Sequence, residues 1–451
     1  MMKEEENEYY TDDDYNNNIN YKLLKFDNNN GINYNNHFNN YNSQINFKKE
    51  NDNFNNYQII NNNIINTHNY FQINFNQNFS NDNEPFYFNK LHNSKVVKNK
   101  ILNSQITKQD LNAINSIIIN DISSQYIENN CHYLQMKIIS NPNYANEILF
   151  PFLFPNMLRL INDQYGNFIY QGFIEVFNSK NLFNFLIVIE NNFNEISHSQ
   201  NGTRVIQKLI EKSSNLKQGN NIILKSLIDM LKGKICELSN DENANHIIQK
   251  FIVNIQFPYN NFIYEELYQN FMHIAITKYG CCVVQKCLIN ANKEQKEKII
   301  YLVLQNTFNL IRDQFGNYVY QCVLILKDEK INYKIIEIIY DKIIPLCKEK
   351  YSSNVIEKIF EINNIVIVNQ LIDYITKTDN KILELITNKY GNYIIQKILS
   401  ICTDKNLFFR ILNTISENIT LINNVSFGKK LISKLIEKYP ILNEMIISNQ
   451  M

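Results

Sequence analysis

Eight short segments of the chain set one polar residue four positions before another, in types suited to hydrogen-bonding a planar edge. The pairs are Cys131/Gln135, Asn167/Gln171, Thr203/Gln207, Asn245/Gln249, Cys281/Gln285, Asn317/Gln321, Ser353/Glu357 and Asn392/Gln396. Residues i and i+4 of a helix share a face, so each segment aims two polar groups the same way. The residues before the second member are apolar, as with Ile169 and Tyr170, Val205 and Ile206, Ile247 and Ile248, or Val355 and Ile356. They anchor the helix in a core and leave the polar pair facing outward. The pairs fall into three chemical classes. A Gln amide offers an acceptor and a donor together, and Asn supplies a further donor, which matches the acceptor, donor, acceptor edge of uracil. Gln beside a small Cys or Thr leaves room for a purine and satisfies adenine. An ionised carboxylate only accepts, so Glu357 beside Ser353 suits guanine, whose N1 and N2 both donate.

Call the two members of a pair the first and fifth positions. The second positions hold His132, Phe168, Arg204, His246, Cys282, Tyr318, Asn354 and Tyr393. Most are flat rings or a guanidinium, the groups on which unstacked bases rest at about 1 to 3 kcal/mol per base for aromatics. Cys282 and Asn354 are poor platforms. Tyr165, Tyr279, Phe315 and Tyr390, just before the usual Gly, are assigned to packing. Lys208, Lys250, Lys286, Lys358 and Lys397, just after the fifth position, read as solvated surface.

These groups need an element that repeats. The fifth positions are spaced by 36, 36, 42, 36, 36, 36 and 39 residues, a register too regular for coincidence. Between the segments, apolar residues such as Leu224, Leu227, Ile228 and Leu231 follow a helical period, so each unit is several short helices. A unit of this size cannot bury its own apolar face. Neighbours must stack into one core, which predicts an all-α solenoid with a concave and a convex side and a cap at each end. Residues 95–125 and Asp404–Met451 suit the caps, the latter carrying NVSFGKKLISKL as a degenerate echo. The 42-residue spacing implies a longer loop, assigned to SSNLKQGN.

Composition agrees and excludes much else. Of residues 1–100, 32 are Asn, without a sustained helical or strand period, so 1–94 reads as a disordered low-complexity arm and 95–451 as the folded domain. The 44 Lys+Arg balance the 44 Asp+Glu, which argues against binding that rests mainly on neutralising phosphates. The eight Cys form no C-x-x-C pair and the seven His no metal spacing, so neither zinc nor a disulfide framework is expected. Glu265 and Glu266 point to different helix faces and read as solvent-exposed. There is no Gly-rich phosphate loop or nucleophile motif, no basic-then-apolar leader and no run of 18 apolar residues. The expectation is a non-enzymatic chain of a reducing compartment, cytosol or nucleus, with the cytoplasm as its place of action, without cofactor, metal or membrane span.

The motifs DQYGNFIYQ, DQFGNYVYQ, SSNVIEK and NKYGNYIIQ resemble those of the Pumilio, or PUF, RNA-binding proteins, and the resemblance runs from about residue 95 to 451. It implies a right-handed superhelical solenoid of eight three-helix repeats, each reading one base of single-stranded RNA, a rule that belongs to the family. In the family the last repeat meets the 5′ end, so the base classes give 5′-UGUAUAUA-3′. The resemblance further implies a monomer on mRNA 3′ untranslated regions, with translational repression or decay through recruited deadenylation or repression proteins. Asn130, Ala244 and Ser352 depart from the motif by replacing its Gly, and CHYLQ of the first repeat is the least typical segment. Two alternatives stand beside this reading: a helical scaffold that binds proteins, and a nucleolar relative that grips structured RNA without reading sequence.

Overall fold

The computed structural model describes residues 106–119, 124–216, 221–326, 328–362 and 364–450. All belong to the second of two compact units, Phe86–Met451. The Asn-rich arm expected over 1–94 lies outside the described residues, as does the second half of the SSNLKQGN loop.

Short polar caps start the helices, and apolar periods decide which face they bury. Asn178, Asn221, Asn292, Asp328, Asn364, Thr378 and Asp404 each accept, through the side chain, a backbone N–H from the first turn that follows. Asn292 and Gln295 complete a reciprocal capping box. Except at Thr378, which starts a short helix, a long helix begins at these caps, a short helix follows, and the motif helix closes the unit. In the third repeat these are Ser179–Asn191, Phe193–His198 and Gly202–Ser214. In the sixth they are Lys293–Gln305, Thr307–Arg312 and Gly316–Ile325. The trio recurs after the eighth motif as Lys405–Glu417, Ile419–Asn423 and Gly428–Lys438, and Ile441–Gln450 ends the stack. Among the described residues there is no strand.

Each motif helix packs against the motif helices before and after it, from Ser124–Ser140 through Gly391–Ile401, and together they form one continuous layer. Several of the long helices pack on one another outside it, as Ser179–Asn191 does on Ile222–Leu231. One apolar cluster runs from Ala113 to Ile446, which is the shared core that units of this size require. The chain is an all-α solenoid of repeats.

The start of the motif helix is fixed in two ways. Asp163 Oδ1 accepts from Tyr165 N at 2.9 Å and Gly166 N at 2.7 Å, and Asp241, Asp313 and Asn388 do the same one or more repeats on. Ser199 and Thr277 accept from Gly202 and Gly280 in the same place. This turn then presses the motif Gly onto the short helix: a Cβ at Gly166 would stand 2.6 Å from Leu160 O, and one at Gly391 2.8 Å from Leu385 O. Two of the three residues that replace this Gly are accommodated differently. Ala244 is fully buried, while Ser352 turns the crowding into a hydrogen bond, its Oγ donating at 2.6 Å to Leu346 O, the equivalent carbonyl.

Length changes avoid this joint. Met157, Phe193, Ile235, Phe271, Thr307 and Ile343 open the short helices of the second to seventh repeats, and each precedes its first position by ten residues. The six extra residues of the 42-residue spacing fall between Thr203 and Ile235, partly in the turn at Gly233, whose φ of +78° favours glycine. In the eighth repeat the short helix starts three residues early, at Asp379.

The first repeat differs. Its motif lies within the 17-residue helix Ser124–Ser140 instead of opening one. The fully buried Asp110 ties that helix to its neighbours, accepting from Tyr133 Oη at 2.8 Å, Lys137 Nζ at 2.8 Å and Tyr144 Oη at 2.7 Å. Burial raises the Asp110 pKa, but these donors outweigh it and hold the carboxyl well below the usual range. Its contribution to stability is therefore present above the ordinary carboxylate pKa and is lost as pH falls through the lowered value.

Gly166→Ala and Gly391→Ala are each expected to destabilise the chain by about 1 to 3 kcal/mol, because the short helix must shift. Ala244→Gly should cost only about 0.5 to 1 kcal/mol, mainly in backbone entropy. Urea unfolding of the three variants checks the order; equal losses would mean that the close approach does not matter.

Candidate nucleic-acid interface

The fifth-position side chains sit on the motif helices in one row. Gln135, Gln171, Gln207, Gln249, Gln321, Glu357 and Gln396 are half-buried, and Gln285 is buried. Their third- and fourth-position neighbours anchor them. Ile169, Tyr170, Val205, Ile206, Ile247, Ile248, Val355 and Ile356 are all 0% exposed, and the Tyr170 hydroxyl donates to Leu153 O at 2.9 Å.

The first positions correct the sequence reading. Expected to face outward with their partners, Cys131, Asn167, Thr203, Asn245, Cys281, Asn317, Ser353 and Asn392 are instead all buried. The physical reason is the helix start. Asn167 Nδ2 donates to Asp163 O and Gln164 O, both at 2.9 Å, and its Oδ1 accepts from Gln171 Nε2 at 2.7 Å. Asn245, Asn317 and Asn392 make the same three bonds, holding Gln249, Gln321 and Gln396 in one orientation. The further donor assigned to Asn is therefore spent inside the protein. Oε1 and the second Nε2 hydrogen of the Gln remain to meet a ligand. The smaller first residues bond locally: Thr203 Oγ1 to Gln200 O at 3.1 Å, Ser353 Oγ to Lys350 O at 3.2 Å, Cys281 Sγ to Lys278 O at 3.4 Å.

The three pairs read as adenine sites therefore depart from the expected outward pair in their fifth residues as well. Gln285 Nε2 folds back onto Cys281 O at 3.1 Å. Gln135 and Gln207 are half-buried rather than fully outward, and neither is held by its first residue, because Cys131 and Thr203 lack the amide oxygen that fixes the other glutamines. The stem of Gln135 is instead packed against the next motif helix, where a Cβ at Gly172 would stand 3.1 Å from its Cγ. Gln207 lies between the buried Ile206 and Lys208, whose ammonium is drawn to Glu175 at 2.6 Å.

The second positions form a parallel row. His132, Arg204, His246, Cys282 and Tyr393 are exposed, and Phe168, Tyr318 and Asn354 half-buried. Neighbours along the row are close: the rings of His132 and Phe168 lie 5.2 Å apart, tilted by 32°. Burial and the nearby Arg204 charge lower the His246 pKa, which favours its neutral form. At Glu357, burial is the largest influence and raises the pKa; Lys397 and Lys358 oppose it, and Glu361 adds to it.

Two other groups differ from expectation. Lys208, Lys250 and Lys397 are not simply solvated, since each forms an ion pair with the carboxylate four residues beyond the previous fifth position: Glu175, Glu211, and Glu361 at 3.0 Å. Lys358 pairs with Glu361 on its own helix. Glu266 is not simply exposed either. Its carboxylate accepts from Gly233 N at 2.7 Å and Ile235 N at 3.1 Å, capping the short helix of the preceding repeat. Two of the four residues assigned to packing are shown against the core. Tyr165 and Phe315 lie against the core, and Lys278 and Lys389 sit 5.0 Å and 4.7 Å over the rings of Tyr279 and Tyr390. The turn residues Asp163, Asp241, Asp313 and Asn388 carry a role that the motif alone did not assign, although aligning the segments shows a short polar residue four places before the first position in six of the eight.

The arrangement defines a class: a helical-repeat protein that presents one polar fork and one platform per unit. Residues 192–223, 234–268, 270–304, 306–339, 342–376 and 381–415 match the model of the Pumilio-family RNA binding repeat, covering the third to eighth motifs. "Pumilio homolog 12" of Arabidopsis thaliana is 28% identical over 319 residues, 69% of this chain and 52% of that protein. "Suppressor protein MPT5" of Saccharomyces cerevisiae is 30% identical over 160 residues, 34% of this chain. "Putative pumilio homolog 8, chloroplastic" of A. thaliana is 27% identical over 160 residues, 35% of this chain. The chain spans 18% and 30% of the length of these last two relatives. The solved "Puf4 RNA binding domain bound to HO endonuclease RNA 3' UTR recognition sequence" matches with a TM-score of 0.61 and 28% identity, covering 68% of this chain and 95% of that one. The RNA-binding domain of yeast Puf5p bound to SMX2 RNA matches with a TM-score of 0.55 and 27% identity, covering 70% and 94%. The chain belongs to the Pumilio, or PUF, family. The second repeat lies outside the six matched segments but has the same turn at Asp163, close approach at Gly166 and bridge at Asn167.

Asn317→Ala removes the side chain bridging the Asp313 and Gln314 carbonyls to Gln321. It is expected to lower stability by about 1 to 3 kcal/mol by leaving polar groups unsatisfied, while Gln321→Ala should leave thermal unfolding nearly unchanged. Equal losses in differential scanning calorimetry would show that the bridge carries no structural weight.

Proposed function

We propose that this chain binds single-stranded RNA, one base per repeat, and that the fifth-position side chains read the sequence. The observation that supports this most is the row itself: seven amides and one carboxylate at equal helical stations on consecutive helices, beside a second row of flat or small groups. The relatives point the same way, since the Puf4 and Puf5p structures hold RNA. Gln Oε1 and its remaining hydrogen would pair with N3–H and a carbonyl of uracil, or turned over with N6–H and N1 of adenine. Turning over is open to Gln135 and Gln207, which no first-position amide holds. Glu357 would accept from N1 and N2 of guanine. With the 5′ end at Asn392/Gln396, the proposed target is 5′-UGUAUAUA-3′.

By the same reading the chain acts in the cytoplasm on 3′ untranslated regions. It represses translation or promotes decay through partners of the deadenylation or repression class, and it has no catalytic role. The Ser353 and Glu357 station tests the code. Exchanging Ser353→Asn together with Glu357→Gln should move preference at the second base from G to U by about 1 to 3 kcal/mol in competitive binding. An unchanged preference refutes the assignment.

Glu357 also gives a pH dependence. As pH falls through its raised pKa the carboxyl gains a hydrogen, becoming a donor where guanine also donates. The preference for UGUAUAUA over UUUAUAUA should therefore shrink between neutral pH and about pH 5, nearer neutrality than an ordinary Glu would allow. In Glu357→Gln the preference should not vary over that range. Fluorescence anisotropy with the two RNAs measures both; a flat wild-type profile removes Glu357 from guanine recognition.

A further inference from the structure

The fifth repeat lacks both features that make a reading station. Gln285 is the one buried fork, 9% exposed, whereas the other seven fifth-position residues are half-buried. Its Nε2 donates at 3.1 Å to Cys281 O, one turn back on its own helix. Gln171, Gln249, Gln321 and Gln396 also spend an Nε2 hydrogen, but on the side chain of an asparagine, and they stay at the surface. Cys281 offers no such anchor, since a thiol has no amide oxygen and its Sγ is turned to Lys278 O at 3.4 Å.

The platform is missing as well. Cys282 is exposed at the second position, between His246 and Tyr318 along the row, and has neither a ring nor a guanidinium. Asn354 is an equally poor platform, but its station keeps a half-buried fork in Glu357. Of the eight stations the fifth alone lacks both. The helix that carries it is not displaced. Gly280 lies against Ile274 O as the other motif glycines lie against theirs, and Thr277 Oγ1 accepts from Gly280 N at 3.1 Å. Gly280–Asn290 packs between Asn245–Asn254 and Gly316–Ile325, so a strand following the row must cross it.

To read adenine, Gln285 has to give up its bond to Cys281 O and leave a buried place, which offsets what the base edge would return. We infer that the fifth repeat passes the RNA strand without reading it: base four of the target is free, and the sequence recognised is 5′-UGUNUAUA-3′, with N any base. This rests on the one-base-per-repeat reading proposed above and withdraws one adenine from it. Discrimination is left to the other stations, where a fork or a platform meets the base.

The test measures competitive binding of the full chain to 5′-UGUAUAUA-3′ and to the RNAs with C, G or U at base four. The same three exchanges at base six, the Thr203/Gln207 station, and U at base two serve for comparison. Exchanges at base four should change affinity by less than about threefold, and those at bases six and two by about tenfold, the ordinary weight of a lost base contact. Adenine preferred at base four as strongly as at base six overturns the inference and leaves the code standing. Equal binding of all these RNAs ends the code and the inference together. Cys281→Asn tests the cause, because it supplies the amide oxygen that holds Gln321 in the next repeat. The variant should prefer U at base four by about tenfold. Unchanged tolerance in a variant whose thermal unfolding matches the wild type overturns the folded-back amide as the cause. Should the variant not fold, the wild-type series decides alone.

Discussion

Everything on the reading layer depends on how closely the motif helix meets the short helix before it. A side-chain oxygen collects the N–H groups of the turn, and the residue at the head of the motif helix lies against a carbonyl six residues earlier. That joint sets where the helix begins, and the start sets which residue is first and which is fifth. A serine at this place works because its hydroxyl supplies the hydrogen that the carbonyl accepts. The same few atoms thus terminate one helix, begin the next and aim the fork.

Much of this was legible in the sequence because a repeat reports its own register. Spacing alone located the eight stations, and the apolar third and fourth residues marked the buried face, as at Val205 and Ile206. What spacing could not give was the depth of the first position. Asn167 and Gln171 are both amides one turn apart, but only Asn167 faces the open carbonyls of the helix start, and this draws it under the surface. Nor could spacing show that the glutamines divide into two kinds, with Gln171 clamped by its asparagine while Gln135 and Gln207 have no such clamp. Partners in other repeats were equally hidden: Lys208 finds Glu175 across a repeat boundary, and Glu266 caps a helix in the repeat before its own. The first repeat lacks the turn because its motif continues an existing helix.

The ion pairs between repeats bear on how such a surface can recognise anything. Lysines beside the fork row that are held by Glu175, Glu211 and Glu361 are partly neutralised at home. With a formal charge of zero over the whole chain, little long-range attraction is left for a polyanion. Discrimination then falls to short-range hydrogen bonds and stacking, which fit a sequence reader better than a general binder.

The ten-residue interval between short helix and first position in the second to seventh repeats, with the six-residue insertion upstream of it, works like a ruler graduated along one edge only. The ungraduated edge can lengthen by six residues without displacing a mark on the other. Variation among such proteins can therefore accumulate where the long helices turn, while the fork row keeps its place on the motif helices.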